Sequence, residues 1–283
     1  MSHFTVAVIT AKKEKLEEML APYDENLEVA SYINRTKKQI IENAKDFKTR
    51  FLREQKEGKK LDEWQKEYIN AETDEELYQA EIDEDYQYDE EGNELTTYNP
   101  KTRWDWYEIG GRWRDTLLVR EDVKDCIVGR PMLEEFFNEQ CKKKDCINGY
   151  KWCSGAKIKD IEFKKAIEIE KKYNKAIRFW ETYVEGKEPL TEAEKEDIKW
   201  EVYKKEYYIE RYETKENYAK IKSTFSCWAL LDETGWHEKG KMGWWAIDDS
   251  TKDSEQLFME KFTETINKPE NQDKYLIIVD CHI

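Results

Sequence analysis

Tyr275-Leu276-Ile277-Ile278-Val279-Asp280-Cys281-His282-Ile283 closes the chain, and its reading sets the fold. An apolar run this short, interrupted only by Asp280 and His282, has the length and β-branched content of a buried strand. The opening Met1-Ser2-His3-Phe4-Thr5-Val6-Ala7-Val8-Ile9-Thr10 is its counterpart, with His3, Thr5 and Ala7 alternating against Phe4, Val6 and Val8. A short helix through Leu16, Met19 and Leu20 follows, and Pro22 stops it. At the far end Asp253 and Ser254 can cap a helix carrying Leu257, Phe258, Phe262 and Ile266, which leads into the closing strand. Both terminal strands are expected to be tied into one sheet.

Between these ends lie two long, charged helical stretches. In the first, Ile33, Ile40, Ala44, Phe47 and Phe51 recur at helical spacing, Gly58 marks a bend, and Leu61, Trp64 and Tyr68 continue the stripe. In the second, residues 161 to 184 carry Ala166, Ile169, Tyr173, Ala176, Ile177 and Trp180. Gly186 and Pro189 break it, and Thr191 to Glu194 has the capping-box pattern opening a further helix with Trp200, Tyr203, Tyr207 and Tyr218. The remaining segments read as strands: 85–88, 95–98, 104–108, 116–119, 225–231 and 243–247. The expectation is an α+β protein with a mixed, largely antiparallel sheet core built from 1–30, 84–160 and 222–283. Two helical-hairpin insertions, 31–83 and 161–221, complete it.

The 63 acidic and 48 basic side chains leave a formal charge of −15, which argues against direct, sequence-independent binding to nucleic acid phosphates and favours a partner with a basic surface. The apolar opening lacks a basic leader and a small-residue cleavage site, so it reads as a strand and not as a signal peptide. No stretch approaches the ~20 apolar residues of a membrane span, and a cytoplasmic location is expected. Six widely spaced cysteines fit reduced thiols better than a disulfide framework.

Three constellations could carry chemistry. The run Trp104-Asp105-Trp106-Tyr107-Glu108-Ile109-Gly110-Gly111-Arg112-Trp113, with Trp244 and Trp245 downstream, combines a turn that exposes backbone N–H groups, a guanidinium and stacking indoles, a set suited to a nucleotide. The alternative is a Trp-lined core in which Arg112 pairs with Asp105 or Asp115. Antiparallel terminal strands would bring His3 near His282, with Asp280 on the same face. His3, Asp280 and His282, with His237 as a fourth group, are the set a metal-dependent hydrolase would use; hydrogen-bonded strand-end histidines are the alternative. Cys126, Cys141, Cys146 and Cys153 contain one close pair, Cys141-x₄-Cys146, which leaves zinc as an option, although buried thiols acting as small hydrophobes are the preferred account. Gly-x-Ser-x-Gly, the phosphate-cradling Gly-x₄-Gly-Lys-Ser/Thr and the dinucleotide fingerprint are all missing, so no catalytic residue is assigned.

Ser2 to Val6, Ala21 to Asn26, Trp104 to Trp113, Lys157 to Phe163, Gly235 to Glu238, Met242 to Trp245 and Val279 to Ile283 together resemble a family of uncharacterised bacteriophage proteins. The resemblance reaches both termini, omits the helical stretches and implies a virus-encoded accessory protein working in the host cytoplasm. It implies no activity for any single residue. The leading functional expectation is a non-enzymatic inhibitor that binds a host defence or nucleic-acid-handling factor through acidic helical arms. A protein that captures a nucleotide signal in the Trp/Arg pocket and a metal-dependent hydrolase are the alternatives.

Overall fold

A computed structural model describes residues 2–130, 147–166, 168–199, 201–242 and 249–283. Among these the strands, in chain order, are β1 (His3–Thr10), β2 (Tyr32–Arg35), β3 (Gln87–Tyr88), β4 (Glu94–Thr96), β5 (Trp106–Ile109) and β6 (Leu117–Arg120). They continue as β7 (Tyr150–Cys153), β8 (Gly155–Lys157), β9 (Ala229–Asp232), β10 (Gly235–Glu238) and β11 (Tyr275–His282). The fold is α+β with a mixed, mostly antiparallel sheet.

The chain divides into two compact units, residues 1–24 with 101–283, and residues 25–100. The larger is organised by a six-stranded sheet in the order β10-β9-β1-β11-β5, with β8 also pairing β11. β1 and β11 run antiparallel in unbroken register from His3↔His282 to Thr10↔Tyr275. Among the described strands only β9 runs parallel to β1. Every residue of β11 is buried, because the sheet is covered on both faces; this is why the strand reads as a continuous apolar run and not as an alternation. On one face Ala7, Ile9, Leu230, Leu276 and Ile278 pack with Phe258 and Phe262 of the Lys252–Asn267 helix and with Leu117 and Val119 of β6. On the other, Phe4, Val6, Val8, Ile277 and Val279 meet Leu16 and Leu20 of the Leu16–Leu20 helix and Trp104.

The 161–221 segment breaks into shorter helices than its stripe suggests. Phe163–Ala166 is separated from Ile169–Phe179 by Glu168 in the left-handed region, at φ 45°. Trp180–Val184 is a π-helical turn, and Glu192–Lys199, Lys205–Tyr212 and Lys215–Ser223 follow. Thr191 accepts from the Glu194 amide (3.2 Å), as the capping pattern requires. Tyr208, Tyr212, Tyr218, Trp180 and Ala219 form a core of their own. At the later helix the cap is Thr251, with Ser254 completing the box from the third position, in place of Asp253.

The smaller unit differs from the expected 31–83 hairpin in its extent and in its strands. Ile33 lies in β2, and the helix begins only at Lys37, where Thr36 and Gln39 form a reciprocal capping box. Helices Lys37–Lys56, Glu63–Asn70 and Asp74–Glu81 pack Ala44, Phe51, Tyr68, Ala71 and Leu77 together. The strands expected near 85–88 and 95–98 do not join the main sheet. They appear as β3 and β4 in a separate sheet of order β2-β4-β3. Short strands carry no register signal of their own, and here Arg35 of β2 ties its strand to β4 through Glu94 and to the third helix through Glu81.

Candidate functional site

One end of the main sheet gathers histidines and carboxylates. The β1–β11–β5 registers set His3, His282 and Trp106 in one cross-strand row, and Thr5, Asp280 and Glu108 in the next on the same face. His3 and His282 stand edge to face with ring centroids 4.9 Å apart, and Trp106 stacks on His282 at 5.0 Å. Each imidazole has its own carboxylate. His3 Nδ1 donates to Asp280 Oδ1 at 2.9 Å, and His282 Nδ1 donates to Asp105 at 2.7 and 2.9 Å. Donation from Nδ1 fixes the tautomer and leaves Nε2 as the atom that exchanges protons. His282 Nε2 is buried without a hydrogen-bond partner.

The Gly110-Gly111 turn closes over Asp280. Both glycines have positive φ, 82° and 48°, and a Cβ on Gly111 would come within 2.4 Å of Asp280 Cβ. The Arg112 amide donates to Asp280 Oδ2 at 2.8 Å. A backbone N–H of the anion-binding turn therefore holds a carboxylate of the chain itself, one that is fully buried and shared with His3. Asp105 faces His282, and Arg114 lies 3.6 Å from Asp115. The Arg112 guanidinium is exposed, and among the described residues no acceptor or carboxylate engages it. Burial pushes the His3 pKa below its ordinary value against the raising effect of Asp280; Arg112 and His282 add to the depression.

The other predicted residues disperse. Trp104 is buried on the opposite face with its indole N–H on the Leu20 carbonyl (3.3 Å) and its ring edge to face with Tyr107. Trp113 packs on the first face beside the Phe258 and Phe262 core. Trp106 alone of the three is both exposed, at 38%, and beside the histidines. Trp244 and Trp245 lie outside the described residues, as do Cys141 and Cys146. His237 is on β10, two strands from β1, where Nε2 lies 2.8 Å from Thr234 Oγ1 and 3.4 Å from Asp232. It does not join His3 and His282. Among the described residues no three His, Cys, Asp or Glu side chains converge as a metal ion requires. The paired carboxylates explain this, since each is turned to a different imidazole. Cys153 is buried in the core, and burial pushes its thiol up to about 12.

Sequence reasoning missed the Asp105–His282 pair. Alternation places Asp105 before a strand but cannot say which partner strand it meets. A separate cleft of about 550 Å³ lies at the opposite end of β1, lined by Thr10, Lys12, Lys15, Tyr23, Leu231 and Asp232.

The smaller unit offers a different surface. Between 25 and 100 there are 21 acidic and 11 basic side chains, and 72–94 holds twelve carboxylates with no Lys or Arg. Glu81 and Glu94 are neutralised by Arg35, and Asp74 and Glu75 pair at the surface with Lys45 and Lys37, whereas Glu72, Glu76, Asp83, Glu84, Asp85, Glu90 and Glu91 are exposed without a cation among the described residues. The 161–221 segment, with 15 acidic and 14 basic residues, is almost balanced. Only one of the two helical regions is therefore acidic. Among the described residues no helix is long and apolar enough to cross a membrane. No family model matches the chain, and neither a curated protein nor a solved structure matches it.

Proposed function

We propose that the protein is a binding protein whose acidic unit, residues 25–100, occupies the basic surface of a nucleic-acid-handling partner. In a phage setting the partner would be a host defence or replication component, and occupation would inhibit it. The observation that carries this reading is the 72–94 segment, twelve carboxylates without a basic residue on a folded platform. A fixed array of like charge raises the encounter rate with a basic groove and repels the phosphate backbone that the groove normally holds.

The test uses four side chains that carry no ion pair or hydrogen bond among the described residues: Glu72→Gln, Glu84→Gln, Asp85→Asn and Glu90→Gln in one variant. The tagged full chain, expressed in its bacterial host, should retain a stoichiometric protein that double-stranded DNA displaces. The four-site variant should melt normally and lose it. Retention by the variant, or a partner that DNA does not displace, would sink the proposal.

A further inference from the structure

We infer that the His3–His282 pair, with Arg112 and Trp106, forms a metal-independent acid–base site for a short ribonucleotide phosphodiester. The inference rests on the larger unit alone and goes beyond the binding role proposed for residues 25–100.

Four observations combine. The two imidazoles are neighbours, yet each is oriented through Nδ1 by a separate carboxylate, Asp280 or Asp105. Both Nε2 atoms are therefore assigned to proton transfer, the pairing of an acid with a base. His282 is 5% exposed, and its Nε2 lacks the partner that a buried polar atom ordinarily has. A phosphodiester oxygen of the substrate would supply that partner. Arg112 is anchored through its amide to the same carboxylate that holds His3, while its guanidinium is exposed and unengaged among the described residues. A free guanidinium in a chain of net charge −15 is placed to meet a phosphate. Trp106 covers His282 and is 38% exposed, and Asp105 beside it is 33% exposed, so these two form the rim over the buried rings. An indole at such a rim stacks a nucleobase.

A reaction that uses two imidazoles and a guanidinium, without a metal, is transfer within a phosphodiester bearing a 2′-hydroxyl. Neutral His3 Nε2 takes the 2′-hydroxyl proton as O2′ bonds to phosphorus. The P–O5′ bond breaks, and protonated His282 Nε2 gives its proton to the departing 5′-oxygen. The products are a 2′,3′-cyclic phosphate and a 5′-hydroxyl, and exchange with water restores the starting protonation of both rings. Asp105 and Asp280 act as positioning residues. The acidity of the chain restricts the substrate to short nucleotides, because a long polyanion is repelled.

The experiment incubates the full chain, in excess EDTA, with a panel of ribodinucleotides and the matching deoxydinucleotides, and reads products by mass. Cyclic phosphate from a ribodinucleotide and none from its deoxy counterpart is the expected result. His282→Asn and His3→Asn, each prepared in parallel, should lower the rate by about 100-fold or more. Asp105→Asn should displace the pH profile, and Arg112→Ala, whose amide still reaches Asp280, should raise KM if the histidine variants fail to fold. The Glu72/Glu84/Asp85/Glu90 variant should cleave normally, which separates this site from the binding surface. No product above the His3→Asn/His282→Asn double variant, inhibition by EDTA, or equal cleavage of deoxydinucleotides would overturn the inference. Arg112→Ala indistinguishable from the parent would do so as well.

Discussion

Residues 25–100 and residues 161–221 are both helix-rich and heavily charged, yet their charges serve different ends. In 161–221 the charges answer one another. Arg178 bonds Glu181 (2.8 Å) and Glu194 (3.1 Å), and Lys187 and Lys215 converge on the same Glu181. Arg211 reaches out of the segment to Glu255 and Ser250, and Phe163 packs on Phe225. In 25–100 the buried ion pairs centre on Arg35 and surface pairs such as Lys37–Glu75, Lys45–Asp74 and Lys66–Glu63 join them, but 21 acidic against 11 basic side chains leave a surplus of carboxylates facing solvent. Charge in 161–221 is thus balanced locally, and the unbalanced charge of 25–100 is what the proposed binding surface rests on.

The comparison can be broken most decisively by excision. Residues 25–100 expressed alone should unfold cooperatively, because their core is their own. Residues 161–221 alone keep the small core around Trp180, Tyr208 and Tyr218 but are not a compact unit by themselves, and should show only a broad, low-melting transition by calorimetry, since they lose Glu255, Ser250 and Phe225. The reverse pattern would erase the distinction. A smaller effect comes from Phe51→Ala, which removes a ring 2% exposed and should cost about 3–5 kcal/mol by urea unfolding. Arg35→Ala should cost roughly 3 kcal/mol, since it leaves Glu94, 2% exposed, without its cation. If the loss is under half that, Arg35 does not organise the small sheet.

Acid sharpens the contrast further. Lys187 and Arg178 hold the Glu181 carboxyl down to about 2 from an ordinary value near 4.5. A depressed carboxyl pKa stabilises the fold fully above the unfolded value, and that contribution is lost as pH falls through the folded one. The 161–221 ion network should therefore weaken between about pH 4.5 and 2, and Glu181→Gln should flatten the acid limb of a pH–stability curve. Thiol reagents give the mildest test. Cys153 and Cys227 are buried in the larger unit, with thiols pushed up to about 12, and should stay unmodified until unfolding.

The terminal strands, the Lys252–Asn267 helix and the helical stretches were legible because each carries its own apolar period. Ile33 misled, since its spacing to Ile40 matches a helix while the cap at Thr36 places it outside. Strands β3 and β4 were readable as strands but not as members of a separate sheet, because that sheet needs β2 to meet β4, where Arg35 bonds Glu94 across 59 residues. At the candidate site, the His3–His282 neighbourhood follows from antiparallel alternation. Asp105 does not, and neither does the occupation of an Arg112 turn amide by Asp280. Both depend on how β5 and the turn after it dock on β11, which residue spacing does not encode.

The central position of β11 has a kinetic consequence. It is synthesised after every other strand of the main sheet, yet among the described residues β5 and β8 have no other partner in that sheet and β1 has only β9 besides. Until residues 275–282 emerge, these strands present unpaired edges, and the separation from His3 to His282 makes the final pairing slow to find. Sheet closure is consequently a late event, and the His–Asp row, which needs β1, β5 and β11 together, cannot exist on a nascent chain. Ser2 and Ile283 exchange backbone hydrogen bonds at 3.1 Å, so a rearranged chain in which a short linker runs from Ile283 to Ser2 and the opening lies at an exposed loop would make β11 and β1 a local hairpin and speed that closure.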